Sequence, residues 1–456
     1  MTRQSAITQA RRYLSDGAFE ADLARRVAYR TESQVPDGLP DARRYLDEEM
    51  APAFARLGFE TQIFENPFPD VAPVMLATRN EGAPITVLGY GHGDVVRGQD
   101  AAWTKGAGPW ITDRDGDRLY GRGTADNKAQ HTINMAAMEA VLAARGALGF
   151  NAKVIIEMAE EAGSRGLREI IAQNKAAFAA DVFIASDGPR VRPDRPTVSL
   201  GARGALNFDL VCDLREGGHH SGNWGGALAD PAMILAQSLA SLSGPNGEIL
   251  VDAWKAQAMS PAVKAALAGL TLDPGPDGPA IDANWGEPGL TTAERVYGAN
   301  SFAVLAMSAG DIAAPVNAIQ PSASAHCQLR FVAGTEEADI LPGLRRHLDQ
   351  HGFDRVRIRK SEEGGFAASR TEPDDPWVSR VTASIAETTG SAPAVIPQMG
   401  GSICNDLFTE LLGLPAIWVP HSYSGCSQHA PDEHVLMSVS ESALTIMAGL
   451  YWDIGS

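Results

Sequence analysis

The sequence predicts an α/β fold: a mostly parallel, twisted sheet flanked by helices, interrupted by an inserted α+β unit. Three observations predict it. Continuous apolar runs alternate with helix-like periodicity through the first 200 residues, the pattern of layered strands and helices. After Arg203 the strands alternate apolar and polar residues, as half-exposed antiparallel strands do. From about Asp375 the first pattern returns. A chain of 456 residues exceeds what one core usually holds. The expected division is therefore residues 1–203 with 371–456 as one domain and 204–370 as the other.

The elements follow in order. ITVLGY (85–90), KVIIEM (153–158) and DVFIAS (181–186) read as buried strands. Between the first two, residues 128–144 carry Ile133, Ala137, Met138, Val141 and Leu142 at helical spacing. LNFDLVCDL (206–214) and SASAHCQLRFV (322–332) are alternating strands, and AMILAQSLASL (232–242) is a helix. The Gly/Pro-rich stretch 272–289 reads as a long surface loop without legible chemistry. EADILPGLRRHLDQHG (337–352) reads as a helix stopped by Gly352, with Pro342 in its first turn or kinking it. RVRIRK (355–360) is an edge-type strand. A helix, a Gly-Gly loop, the strand PAIWVP and a last helix from Ser438 complete the chain.

Composition narrows the function. Hydrophobic residues make up 44% and charged residues 21%, ordinary for a globular protein. The net charge of -18 disfavours nucleic acid or an anionic membrane as partner, because both need clustered Lys and Arg. Cys212, Cys327, Cys404 and Cys426 form no CxxC pair, so neither a disulfide framework nor a sulfur-rich metal site is suggested. The segment MTRQSAITQARRYL lacks the apolar core of a signal peptide, and no run reaches the ~18 apolar residues of a membrane span. A cytoplasmic location is expected.

The chemistry lies where the apolar runs end. GHGDVV holds His92 and Asp94, YGRGTAD ends on Asp126, EMAEEAGS carries Glu160 and Glu161, ASDGP carries Asp187, and SQHAPDEH carries His429. Open α/β sheets build their sites at the carboxyl ends of strands, so this placement is coherent. Each signal also has a plain structural reading. Asp126 precedes a helix and can serve as an N-cap, Glu160 and Glu161 can be solvated, Asp187 can start a turn, and His429 can be an exposed loop histidine. Jointly, these oxygen and imidazole groups suit two cations sharing one carboxylate. The absence of thiolates suits zinc, and also manganese or cobalt.

In order and spacing, HxD, GRGxxD, the Glu-Glu pair, Ser-Asp and the late HxxxE (429–433) resemble the zinc exopeptidase family of carnosinase, acetylornithine deacetylase, succinyl-diaminopimelate desuccinylase, aminoacylase and glutamate carboxypeptidase. The similarity covers nearly the whole chain and is greatest to the carnosinase-like cytosolic dipeptidases. It implies a zinc-exopeptidase-like catalytic domain with an inserted lid or dimerisation domain. By that likeness His92 and Asp187 hold one metal and Glu161 and His429 the other. Asp126 bridges them, and its bond to Asn127 is cis. Asp94 orients His92, and Glu160 is the general base, moving a proton from water to the leaving nitrogen. His220, in GGHHSGNWGG, reaches across a homodimer to the oxyanion of the partner's site. Arg330 binds the substrate carboxylate, Asn317 in VNAIQP occupies a substrate-contact position, and Ser402 belongs to the Gly-Gly-Ser loop.

The implied activity is two-metal hydrolysis of the amide bond of a dipeptide or N-acyl amino acid with a free carboxylate. Alternatives are a biosynthetic-type deacetylase or desuccinylase, and a non-catalytic peptide-binding relative. Two departures stand out. Met399 occupies the place of a glutamate before Gly-Gly-Ser, and Lys128-Ala129 replaces the usual Lys-Gly. The first puts recognition of a charged substrate amino group in doubt and favours a less polar or N-acylated amino side.

Overall fold

The computed structural model describes residues 2–272, 279–361 and 365–456. Part of the loop expected at 272–289, namely 273–278, lies outside the described residues. The central feature is an eight-stranded sheet. Its strands run in the spatial order Glu60–Phe64, Val74–Arg79, Asn151–Glu157, Thr86–His92, Val182–Ala185, Ala416–Trp418, Thr197–Ser199 and Ala394–Ile396. Four of its neighbouring pairs are parallel. The antiparallel ones lie toward the two ends. The sheet is thus mixed, with a parallel centre.

Alternation along each strand divides the apolar side chains between two faces. Met75, Ala77, Val87, Val154, Ile156 and Ile184 pack with Ile133, Val141, Leu444 and Met447. Those partners come from the helices Lys128–Arg145 and Met437–Ile454, which lie together on that face. Leu76, Leu88, Tyr90, Ile155, Phe183 and Trp418 point the other way, against Leu167, Ile171, Phe178 and Phe408. There Phe183 stacks on Phe408 with ring centroids 3.8 Å apart. Burial on both faces explains why the central strands read as continuous apolar runs.

Between Gly204 and Lys360 the chain builds a second, four-stranded antiparallel sheet. Its order is Ser301–Ser308, Ser322–Phe331, Gly204–Asp213, Val356–Lys360, which puts the RVRIRK strand at one edge. Its inward residues, among them Phe208, Leu210, Cys327 and Leu329, pack against Leu235, Ile340, Leu344 and Trp254 in a core of their own. The helices Pro231–Leu242 and Glu337–Gln350 cover that face. Pro342 is the sixth residue of the second of these, beyond the first turn, and so forgoes the bond its N–H would have made to the Ala338 carbonyl. A short pairing of Gly201–Ala202 with Ser369–Arg370 joins the two outward crossings of the chain. All four cysteines are buried and unbridged. Among the described residues no helix is long and apolar enough to cross a membrane.

Candidate metal centre

Thr86–His92 is a central strand flanked by parallel neighbours, and His92 is its last residue. Its register partner His92↔Glu157 places the end of the next strand, and the short turn Glu160–Ala162, at the same edge of the sheet. Val182–Ala185 runs parallel beside it and delivers Asp187 two residues later. The loop after Ala416–Trp418 brings His429 to the same place. Parallel strands all point their carboxyl ends one way, so the sheet gathers residues far apart in sequence.

The ligand-type atoms fall into two groups that share Asp126: His92, Asp126 and Asp187, and Asp126, Glu161 and His429. Within each group the atoms lie within 4.8 Å of one another. The Asp126 carboxylate divides itself between them. Its Oδ1 is 2.9 Å from His92 Nε2, and its Oδ2 is 3.1 Å from His429 Nε2. His429 Nε2 also lies 3.0 Å from Glu161 Oε2. Asp187 Oδ2 is buried without a hydrogen-bond partner, 3.6 Å from His92 Nε2. A buried carboxylate oxygen left without a donor is costly, and a cation satisfies it. The donor set of carboxylates and imidazoles therefore fits a pair of divalent ions.

The surrounding groups hold this arrangement. His92 Nδ1 donates toward the Asp94 carbonyl at 3.1 Å, with Asp94 Oδ1 at 3.4 Å, which leaves Nε2 facing the cluster. The Asp94 carboxylate accepts from the backbone amides of Glu160 and Glu161 at 3.2 and 3.0 Å, fixing the turn that carries both acids. The peptide bond Asp126–Asn127 is cis, and Asn127 rather than Asp126 takes the N-cap position of the helix that follows, without a capping bond from its side chain. In the His429 loop Ser427, His429 and Asp432 all adopt left-handed backbone. Asp432 pins that loop by accepting from the Thr104 and Lys105 amides, both at 2.8 Å.

So many acids in one buried place oppose one another. Burial, and then the charge of Asp126, push Glu161 up to about 7 and Asp187 up to about 6. Glu160 is raised well above the carboxylate range, chiefly by burial. Burial works against the ionised form of Asp126 as well, yet hydrogen bonds from His429 and His92 hold it below its ordinary value. His429 is pushed up to about 10 by its hydrogen bonds to Asp126 and Glu161. Cations placed among these acids would neutralise the same carboxylates.

Glu160 belongs to neither ligand group but lines the adjoining cavity of about 650 Å³, together with Arg330 and Ser402. Arg330 Nη1 donates to Ser402 Oγ at 2.9 Å, and that hydroxyl donates to the Arg203 carbonyl at 2.7 Å. His220 and Asn317 do not line this cavity. Both are exposed on the inserted unit, brought near each other by the pairing His220↔Ala318.

Sequence reasoning missed two residues here. Glu433 was part of a motif without a role. Buried, it accepts from Arg122 Nη1 at 2.8 Å and from the amides of Gly123, Ala125 and Asp126 at 2.9–3.0 Å. Gln428 donates its side-chain amide to Asp126 Oδ2. Glu433 was detectable as an acid four residues after a ligand-type histidine. Gln428 carried no signal.

Comparisons with known proteins agree with this geometry. Residues 88–453 match the sequence profile of peptidase family M20/M25/M40. A cysteinylglycine-S-conjugate dipeptidase of Corynebacterium striatum is 27% identical over 354 residues, 75% of this chain and 74% of that protein. The beta-Ala-His dipeptidase of Homo sapiens is 33% identical over 258 residues, 52% of this chain and 49% of that protein. Among solved structures, an M20 family metallo-carboxypeptidase from Sulfolobus solfataricus superposes with a TM-score of 0.81 at 22% identity, covering 96% of this chain and 99% of the other. At that identity it speaks for the fold alone.

Proposed function

The chain belongs to peptidase family M20/M25/M40, and from that membership we propose a two-metal hydrolase that cleaves the amide bond of a dipeptide or N-acyl amino acid with a free carboxylate. The observation that carries this reading is the pair of ligand groups sharing Asp126. His92 and Asp187 would hold one ion, Glu161 and His429 the other, and Asp126 both. Zinc is the proposed metal, with manganese or cobalt as alternatives suited to the same donors. When bound, such ions act as Lewis acids and lower the pKa of the attacking water.

The rest falls to side chains of the protein. Glu160, which lines the cavity beside the ligand groups, would take a proton from water and pass it to the leaving nitrogen. Asp94 orients His92 and secures the Glu160 turn. Arg330, with Ser402 beside it, pairs with the substrate carboxylate. The division into residues 1–203 with 371–456 and 204–370 belongs to the same proposal, supported by the separate core of the second sheet. So does a homodimer through the inserted unit. Its strand Ser301–Ser308 is an open sheet edge with Val304, Leu305 and Met307 exposed, a surface suited to a second copy. In that assembly His220 of one copy would donate to the oxyanion in the other, and Asn317 would contact the substrate. A cytoplasmic location completes the reading.

A screen of dipeptides and N-acyl amino acids, with zinc, manganese or cobalt added, tests the activity. Metal-dependent release of a free amino acid is expected. Metal binding without hydrolysis of any amide would favour the peptide-binding alternative.

A further inference from the structure

Glu160 reaches the cavity from the short turn Glu160–Ala162, and little packing holds that turn. Ala162 and Gly163 are exposed. A second cavity of about 180 Å³ reaches Ala159 and Ala162, with Leu39, Met158 and Arg165 in its wall. Hydrogen bonds therefore carry much of the hold. At the front of the turn the Asp94 carboxylate accepts from the Glu160 and Glu161 amides. At its rear the chain turns back through Gly163 and Ser164, both in left-handed backbone, with φ of 84° and 52°. Glycine adopts that conformation freely and serine rarely does. Ser164 is nonetheless fixed there. Its amide donates to the Ala159 carbonyl at 2.9 Å, and its hydroxyl donates to Glu157 Oε2 at 3.2 Å.

Glu157 is the last residue of its strand, Asn151–Glu157, and is buried. It pairs in register with His92, so its backbone is fixed relative to the strand that carries that ligand. The same Oε2 accepts from the Tyr90 hydroxyl at 2.7 Å, and Tyr90 stands on the His92 strand two residues earlier. One carboxylate oxygen thus joins the sheet edge at His92 to the residue that leads out of the turn. The Glu157–Ser164 bond closes a segment that holds Glu160 and Glu161 between its ends. A serine kept in a backbone that suits glycine implies a use for its hydroxyl. We infer that Ser164 is a positioning residue for Glu160: through Glu157 it fixes the turn against the sheet and so sets the reach of the base relative to the ligand groups. The inference rests on Glu160 being the base in the reading above. A base must stand within hydrogen-bond reach of the proton it takes. A displacement of about 1 Å can cost ~10²-fold in rate.

The test compares Ser164→Ala with Tyr90→Phe. Each removes one hydroxyl from the same Glu157 oxygen, but only Ser164 belongs to the turn segment. With the best substrate of the screen above, metal-loaded Ser164→Ala is expected to lose kcat by ~10-fold to ~10²-fold, at unchanged KM and unchanged ions per chain. Tyr90→Phe is expected to lose stability and keep kcat. A second readout needs neither metal nor turnover. In the metal-free protein the amides of Ala162 and Gly163, which bond back to Ala159 and Glu160, are expected to lose hydrogen-exchange protection in Ser164→Ala and to keep it in Tyr90→Phe. Wild-type kcat in Ser164→Ala would overturn the inference and leave the hydrolase reading standing, and so would unchanged protection of the turn. Equal losses of kcat in the two variants, or a rise in KM with loss of ions, would reduce Ser164 to a structural part and overturn it too. Turnover of no amide by the wild type would overturn the hydrolase reading, and the positioning role with it. If Ser164→Ala does not fold, Ser164→Gly, which relieves the backbone and also lacks the hydroxyl, carries the same expectations.

Discussion

Replacing Glu433 by alanine tests how the proposed bridging carboxylate is held. Glu433 is 1% exposed and accepts from three amides of one loop, those of Gly123, Ala125 and Asp126, and from one guanidinium. Arg122, its ionic partner, is 0% exposed, and its Nε and Nη2 already lack hydrogen bonds. Truncation therefore leaves a buried cation uncompensated, which costs about 3–5 kcal/mol. Each amide left without an acceptor adds about 1–3 kcal/mol if it stays dry. Those terms overlap, since water entering the vacated space solvates amides and guanidinium together. The net loss expected from urea unfolding is thus about 3–5 kcal/mol. A second readout is specific to the site. The Asp126 amide loses its anchor, so the protein should retain less tightly bound metal after dialysis. A stability loss below ~1 kcal/mol, the scale of an ordinary surface change, together with unchanged metal retention, would refute the reasoning.

Further outcomes follow from the same geometry. Glu160→Ala should keep its metal and lose turnover by ~10²–10⁴-fold, the range for removing a general base; wild-type turnover in this variant would dismiss Glu160 from that role. Burial raises Glu157 from 4.5 to about 7. A folded value above the unfolded one means its contribution to stability is complete below pH 4.5 and is lost as pH rises through 7, a loss of about 3 kcal/mol for that shift. Between those pH values the stability of Glu157→Gln should therefore gain on wild type, and parallel stability–pH curves would count against it. His220→Ala and Arg330→Ala subunits, each inactive alone, should regain partial activity when mixed; verified mixed dimers without activity would count against a shared site.

The sequence revealed the fold where burial on both faces left a continuous signal. ITVLGY, KVIIEM and DVFIAS each carry an unbroken apolar stretch because apolar cores cover both sides of the central strands. Each of those runs is followed closely by one of the singled-out residues, since a parallel sheet orients its carboxyl ends together. The spatial order of strands was not legible, because it depends on pairings such as Ala416–Trp418 beside Val182–Ala185, more than 200 residues apart. The supporting shell was hidden for a related reason. Glu433 and Gln428, and the grip of the already singled-out Asp94 on the Glu160 turn, act on groups brought near only by folding, several of them backbone amides whose identity no side chain encodes. Met399 was visible as a departure from a pattern, whereas the apolar side of the cavity it lines assembles from residues 281 to 399 and appears only in three dimensions.

The most direct test is to count divalent ions per chain in metal-loaded protein freed of excess ion, in wild type and in Asp126→Ala. Two ions per wild-type chain, and loss of tight binding at both positions when the shared carboxylate is removed, is the expected result. Two ions still held with undiminished affinity by Asp126→Ala, or none held by the wild type, would contradict it.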